Sequence, residues 1–435
     1  MNTNITTPMA AGSARARARG AGGIPSLSAA FRLLLIGPLI IVLAALSLRD
    51  GVLGAAREAD PPRAAALDPQ DPLMLAIMAD AALPKITRPG VARLILSEAR
   101  AAIAREPLRL DALRDIGLVQ DLGGDHVAAH RAIALVGQLT PLDAVAHVWL
   151  AEDGLEAGHT ASGLGHLDAA LRISPQILPA LAPLVIDLAR TSPDAFAARL
   201  AQNPPWRTDA LQLLAARSPN SAIDFAVLSG LARTSSPPTE PELSPFFDRR
   251  LAEDHADQQA YLDWLQLLPP QGLAHATSLY DGDFTGLPGP PPFNWRLGAG
   301  AGGDALRGVA PDGHSALDVT YDGFANPFLA EQLLTLGPGV WRLSGSVQTR
   351  DASDPALRWR VVCAEGKAGL LGEAAMPASQ GAWSPFQLSF TVPAEGCGAQ
   401  WLRLTPTPGD HERSIEAWFR ALEVRSGPSA VDPAR

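Results

Sequence analysis

Apolar residues recur at helical spacing through much of the chain, and prolines punctuate these runs at regular intervals. Pro69, Pro107, Pro141 and Pro175 follow one another at spacings of 38, 34 and 34 residues. Proline ends helices because it lacks a backbone N–H group and its ring clashes with the preceding turn. The pattern therefore predicts a stack of helical hairpins with a repeat of about 34 residues.

Two consecutive units repeat the same order of large, small and turn residues. In the first of them, Leu113 and Ile116 share a face of the leading helix, and Ile133 and Val136 recur along the second helix. Small residues, turn glycines and closing prolines take the structural positions of the two units: Gly117, Gly124, Ala129, Pro141, Gly158 and Pro175. From these residues the chain resembles the tetratricopeptide repeat family over about residues 66–178.

This resemblance implies an all-α repeat domain over residues 58–270, degenerate after residue 178 and interrupted by a proline-rich loop at 234–245. It also implies that the concave face, formed by the first helix of each unit, binds a partner protein. Six polar residues on that face are the predicted contacts: Asp111, Arg114, Asp115, Gln120, Asp143 and His147. An irregular helical domain whose 34-residue spacing arises by chance is the alternative.

Near the N-terminus, residues 33–48 carry no charge and are mostly Leu, Ile, Val and Ala. A membrane-spanning helix needs roughly 20 residues, so the predicted transmembrane anchor takes residues 29–48. Arginines but no acidic residues precede it within 1–28, which favours a cytoplasmic tail and a periplasmic location for the rest of a bacterial inner-membrane protein. A cleaved signal peptide is the alternative interpretation.

Net charge argues against one class of partner. The chain carries a net charge of −10, and removing the four arginines before the apolar segment leaves about −14 for the exported part. An acidic surface repels the phosphate backbone of nucleic acids. The sequence therefore predicts no nucleic-acid partner.

From residue 277 onward the helical period gives way to short segments of alternating apolar and polar residues. Seven strands are predicted, at residues 316–321, 329–336, 340–349, 357–364, 386–392, 400–405 and 417–424. Turn residues such as Gly and Pro separate them. The pattern predicts an all-β sandwich of jelly-roll type over residues 277–427, followed by a disordered tail at 428–435.

Short motifs in this region at 280–284, 292–295 and 336–343 resemble carbohydrate-binding modules and galactose-binding-like jelly rolls. The resemblance implies that the sandwich binds a glycan, because flat aromatic rings pack against the C–H faces of sugars. Trp295 and Trp383 stand in loops and are the predicted glycan contacts. Trp341, Trp359 and Trp401 lie within alternating strands and are predicted core residues.

Both cysteines fall in the predicted sandwich. Cys363 ends one predicted strand and Cys397 precedes another. In an oxidising compartment such a pair is predicted to form a disulfide, with two buried thiols as the alternative.

No nucleophile elbow, phosphate-binding loop, paired carboxylates or metal-ligand spacing stands out, so the sequence predicts a protein that is not an enzyme and needs no cofactor or metal. The order of anchor, helical array and sandwich predicts a single-pass inner-membrane scaffold that binds a partner protein and a polysaccharide. Exopolysaccharide or cell-envelope assembly or export is the predicted setting. One alternative is a glycan-active hydrolase or lyase with an accessory module. Another is a sandwich that only contacts protein.

Overall fold

The computed structural model describes residue 66 and residues 68–427, except 253–255, 351–355, 365–368, 378, 380 and 410–413. The chain divides into two compact units between Ala132 and Ile133. The predicted tail at 1–28, the predicted anchor at 29–48 and the predicted tail at 428–435 lie outside the described residues. Within the described residues, no helix has the length and apolar character needed to cross a bilayer.

The first unit is helical. It contains α1 (Pro72–Ala82), α2 (Val91–Arg105), α3 (Leu110–Leu122) and the start of α4 (His126–Leu139). Asp71 begins α1, because its carboxylate accepts hydrogen bonds from the N–H groups of Leu73 and Met74. The helices pack through small, fully buried side chains such as Ala76, Ala99 and Ala112.

The second unit contains the remaining helices and all the strands. Its helices after α4 are α5 (Ala144–Glu156), α6 (Thr160–Ile173), α7 (Ala182–Thr191), α8 (Pro193–Leu200), α9 (Arg207–Arg217), α10 (Ser221–Ala232), α11 (Glu240–Ala252), α12 (Asp257–Leu267) and α13 (Pro270–Ala274). The helical region that the sequence predicts is confirmed.

The regular spacing of the prolines corresponds to a regular spacing of helices. Helices α3 and α5 begin 34 residues apart, at 110 and 144, and α4 and α6 begin 34 residues apart, at 126 and 160. Gly124 and Gly158 occupy equivalent turns with φ of +84° and +76°, a region that glycine adopts without a steric cost. Pro141 follows α4, and Pro175 begins a short 3₁₀ helix after α6.

Between α10 and α12 the predicted and observed boundaries differ. Helix α11 begins at Glu240, inside the predicted loop at 234–245. Pro241 lies in its first turn, where the missing N–H group has no helical partner to lose.

The C-terminal region is a two-sheet antiparallel β-sandwich, as the sequence predicts. Its strands are β1 (Arg296–Leu297), β2 (Ala299–Gly300), β3 (Gly303–Val309), β4 (Ser315–Tyr321), β5 (Ala330–Leu334), β6 (Gly339–Thr349), β7 (Leu357–Cys363), β8 (Leu370–Ala375), β9 (Ser384–Val392), β10 (Gln400–Pro406) and β11 (Ile415–Ser426). One sheet has the order β1-β5-β10-β7-β8, and the other has the order β2-β3-β4-β11-β6-β9. The seven predicted strands correspond to β4–β7 and β9–β11.

Alternating residues from both sheets fill the space between them. Trp359 on β7, Leu402 on β10 and Phe419 on β11 are fully buried there. Cys363 and Cys397 form a disulfide with a Cα–Cα distance of 5.4 Å. The disulfide links the end of β7 to the loop before β10, and β7 and β10 are neighbours in the five-stranded sheet.

A second hydrophobic core joins the helices of the second unit to the outer face of the five-stranded sheet. Trp264 on α12 is 1% exposed and lies in this core with Leu333 on β5 and Ala399 before β10. Its ring is 4.9 Å from Tyr280 and 5.8 Å from Phe293, and its Nε1 donates a hydrogen bond to the carbonyl of Pro290 at 3.0 Å. Helices and sandwich in this unit therefore share a continuous core.

We expect Trp264→Ala to lower the free energy of unfolding by about 3–5 kcal/mol, because it leaves a cavity where helices and sandwich meet. Leu262→Ala, on the same helix but 51% exposed, is the matched control and should cost about 0.5 kcal/mol or less. Urea denaturation followed by circular dichroism measures both. Equal effects of the two substitutions would contradict the shared core.

Candidate functional site

A pocket of about 240 Å³ lies beside the sandwich in the second unit. The lining comes from α12, the segment before the first strand, β5, the turn after it and the start of β6: Tyr261, Thr277, Ser278, Tyr280, Phe293, Gln332, Leu333, Leu334, Thr335, Leu336, Gly337 and Trp341. Gln332 connects two parts of the pocket wall. Its side-chain oxygen accepts a hydrogen bond from the backbone N–H of Tyr280 at 3.0 Å, and its side-chain NH₂ group donates one to the backbone carbonyl of Tyr280 at 2.9 Å.

Two half-buried aromatic residues give the pocket flat apolar surface. Tyr261 stacks on Trp264 with ring centroids 5.9 Å apart and meets the edge of Phe293 at 5.3 Å. Trp341, near the start of β6, donates from Nε1 to the carbonyl of Gly337 at 2.8 Å. Because packing and hydrogen bonding fix both rings, the surface is formed before any ligand arrives.

Hydroxyl groups supply the polar part of the pocket. Among the described residues, the side chains of Tyr261, Ser278 and Thr335 make no hydrogen bond, whereas the hydroxyl of Tyr280 donates to the carbonyl of Pro288 at 2.7 Å. Burial raises the pKa of Tyr261, so its hydroxyl stays protonated at neutral pH. Each of the three uncommitted hydroxyls can donate one hydrogen bond and accept others.

The structure corrects the prediction that Trp295 contacts a glycan. Trp295 is 3% exposed, and its ring packs against Phe284 at 4.9 Å and Trp359 at 5.7 Å within the sandwich core. Its Nε1 donates to the carbonyl of Asp281 at 3.0 Å. No face of the ring is open to a sugar, and the prediction is wrong.

Trp383 is half-exposed, and the prediction that it contacts a glycan stays a prediction. The guanidinium of Arg420 lies 3.9 Å from the centroid of its ring. Its Nε1 donates to the carboxylate of Asp312 at 2.8 Å. Arg420 therefore covers part of the surface that a sugar would need.

Three of the predicted contacts on the helical repeats are buried. Asp115 has no exposed surface, Arg114 is 8% exposed and His147 is 6% exposed. Arg114 donates two hydrogen bonds to Asp115, at 3.0 and 2.8 Å, and also pairs with Asp80. The Nδ1 atom of His147 lies 3.0 Å from that of His166. These side chains face neighbouring helices, so the prediction that they contact a partner is wrong.

The other predicted contacts are at least partly accessible. Asp111 pairs with Arg109 at 2.7 Å, and Asp143 accepts a hydrogen bond from the N–H of Ala146 at the start of α5. Gln120 is partly buried on α3. Whether these three residues contact a partner stays a prediction.

Sequence reasoning missed the residues that line the pocket. Trp341 is predicted to lie in the core, and it packs against the sandwich core near the start of β6 but is only half-buried. Tyr261, Ser278 and Thr335 belong to no motif. One signal was present: the chain has three tyrosines, and two of them, Tyr261 and Tyr280, line this pocket.

No protein-family model matches the chain, and no curated protein matches it. Among solved structures, the chain is similar to the CBM22-1 xylan-binding domain from Paenibacillus barcinonensis Xyn10C, with 19% identity, a TM-score of 0.24, and coverage of 30% of this chain and 85% of that one. It is also similar to a family 16 carbohydrate-binding module, with 12% identity, a TM-score of 0.25, and coverage of 34% and 100%. A third structure, TmCBM61 in complex with beta-1,4-galactotriose, has 12% identity, a TM-score of 0.22, and coverage of 35% and 100%.

Each similarity covers about a third of this chain at low identity. None of them indicates which residues here bind a ligand or what that ligand is.

The buried carboxyl group of Asp115 should make the free energy of unfolding depend on pH. Burial raises its pKa from 3.8 to about 6, against the opposing effect of Arg114. Between these pH values the folded protein binds more protons at this site than the unfolded chain, so the contribution of Asp115 to the free energy of unfolding falls as pH rises. Asp115→Asn does not titrate. Urea denaturation measures the free energy of unfolding of the wild type and of Asp115→Asn. We expect the wild-type value minus the variant value to decrease from pH 4 to pH 7. A constant or rising difference would contradict the raised pKa.

Proposed function

We propose that the protein binds a glycan in this pocket. The rings of Tyr261 and Trp341 supply its flat apolar surface, and the uncommitted hydroxyls are those of Tyr261, Ser278 and Thr335. The observation that carries this proposal is the combination of two flat rings with hydroxyl groups that have no internal partner. A sugar has apolar C–H faces that match the rings and hydroxyls that match the polar groups. Pockets with apolar walls and few convergent polar groups are the usual form of small-ligand sites.

The proposed role is binding without turnover. Most glycoside hydrolases need a pair of carboxyl groups that flank the bond to be cleaved. None of the residues that line this pocket is Asp or Glu. The composition of its walls supports a binding site rather than a catalytic one.

We expect Trp341→Ala to weaken glycan binding at least about tenfold, because it removes the larger of the two half-buried rings. Tyr261→Phe should weaken it roughly 2- to 10-fold through the loss of one hydroxyl. Isothermal titration of the full chain with a panel of bacterial polysaccharides and their oligosaccharides measures both effects, and circular dichroism checks the fold of each variant.

The variant Trp383→Ala distinguishes glycan binding in this pocket from glycan binding at Trp383. Both tryptophans are half-buried, but Trp383 does not line the pocket. Loss of binding in Trp383→Ala with full binding in Trp341→Ala would place the glycan elsewhere and overturn the proposal.

We further propose that the protein is a scaffold held at the bacterial inner membrane by residues 29–48, with its N-terminus in the cytoplasm and its bulk in the periplasm. The apolar segment and the arginines before it support this topology. The disulfide between Cys363 and Cys397 supports an oxidising compartment. Assembly or export of an exopolysaccharide or envelope glycan is the proposed setting.

The helical hairpins are proposed to act as a tetratricopeptide-type array that binds a partner protein. Their 34-residue spacing over two hairpins supports this assignment. Leu108 before α3 and Leu142 before α5 occupy equivalent positions 34 residues apart, and each is 76% exposed. Large apolar side chains left in water at repeated positions are suited to protein contact.

We expect the double variant Leu108→Ser with Leu142→Ser to reduce crosslinking of the full chain to its partner by roughly threefold or more, because two exposed apolar contacts are removed. Crosslinking in intact cells followed by quantitative mass spectrometry measures the yield. Leu306→Ser, on the sandwich and 52% exposed, is the matched control and should leave the yield unchanged. Unchanged yield in the double variant would count against Leu108 and Leu142 as partner contacts.

A further inference from the structure

We infer that the pocket takes a single uncharged sugar ring at the end or branch of a glycan, rather than an acidic sugar or a run of several sugars along a chain. This inference rests on the proposed glycan binding and specifies the class of ligand. The size of the pocket, its lack of charge and the arrangement of its hydroxyls each support it.

The size of the pocket limits the ligand. Its volume of about 240 Å³ falls below the roughly 300–1,000 Å³ of sites that enclose drug-sized molecules. Leu334 and Leu336, 2% and 6% exposed, close the inner wall, whereas Ser278 is exposed at the rim. One ring therefore fits inside, and the rest of a glycan extends past Ser278 into solvent.

Among the described residues, those that line the pocket include no Asp, Glu, His, Lys or Arg. Two acidic residues adjoin the lining in sequence, and both are held in ion pairs. Asp281 pairs with Arg307 at 3.1 Å, and Glu331 pairs with Arg296 at 3.0 Å and with Arg403 at 2.8 Å.

This absence of charge selects against anions. A carboxylate or phosphate placed in the pocket would lose water without gaining a cation from its walls, and burying an unpaired charge is costly. Arg307, Arg296 and Arg403 are already engaged with carboxylates. A uronic acid or a phosphorylated sugar should therefore bind much more weakly than the corresponding neutral sugar.

The hydroxyls favour a ligand with several hydroxyls of its own. Tyr261, Ser278 and Thr335 come from α12, from the segment before β1 and from the turn after β5. Groups from three separate segments meet different edges of one ring. Because the three hydroxyls come from separate segments of the chain, neutral sugars that differ in the orientation of their hydroxyls meet them differently and can be told apart.

The test is isothermal titration of the full chain with matched pairs: methyl β-glucoside against methyl β-glucuronide, and methyl β-galactoside against methyl β-galacturonide. The neutral member of at least one pair should bind at least tenfold more tightly than its uronate. Across a series from disaccharide to hexasaccharide of the preferred neutral sugar, affinity per chain end should stay constant within about threefold.

Two variants tie the selectivity to the pocket. Thr335→Val keeps the shape of the side chain but removes its hydroxyl, and it should weaken binding of the neutral sugar several-fold. Thr320→Val, at an exposed position on β4, is the matched control and should leave affinity unchanged.

The outcomes separate the two proposals. Equal or tighter binding of the uronates, or affinity that rises steadily with chain length, would overturn the single neutral ring while leaving glycan binding in place. If none of these ligands shows binding that is lost in Trp341→Ala, both proposals are overturned.

Discussion

The burial of Trp264 against Tyr280 and Phe293 is the interaction on which the second unit depends. It brings α12 to the outer face of the five-stranded sheet and merges two regions of different secondary structure into one core. Gly289 permits this contact: its φ is +140°, and a Cβ atom there would lie 3.0 Å from the ring of Trp264. The hydrogen bond from Trp264 to Pro290 then satisfies the indole N–H, which would otherwise be buried without a partner.

The pocket is a consequence of this arrangement. Its walls combine Tyr261 from the helices with Gln332, Thr335 and Trp341 from the sandwich. Neither region supplies the whole lining, so the pocket exists only where the two meet. Strand β5 is buried along its full length, and its Leu333 packs in the core that the sheet shares with the helices.

The periodicity of the main helices and strands can be read from the sequence, but the extent to which particular side chains are buried cannot. The alternation of apolar and polar residues predicts β4–β7 and β9–β11, because apolar residues on one face of each strand must enter the core. Strand β3 was missed because Gly303 and Gly308 interrupt the alternation of apolar and polar residues along it. Trp295 follows a proline-rich loop and was predicted to be exposed, yet long-range packing against Trp359 places it in the core. The pocket itself joins residues up to 80 positions apart, from Tyr261 to Trp341, and no local pattern encodes such a meeting.

A crystal structure of the full chain with a bound neutral oligosaccharide tests the central claim most directly. The account predicts one terminal sugar ring between Tyr261 and Trp341, within hydrogen-bonding distance of Thr335, with the remaining sugars in solvent beyond Ser278. A sugar chain lying instead beside Trp383 on the six-stranded sheet, with the pocket empty, would contradict it.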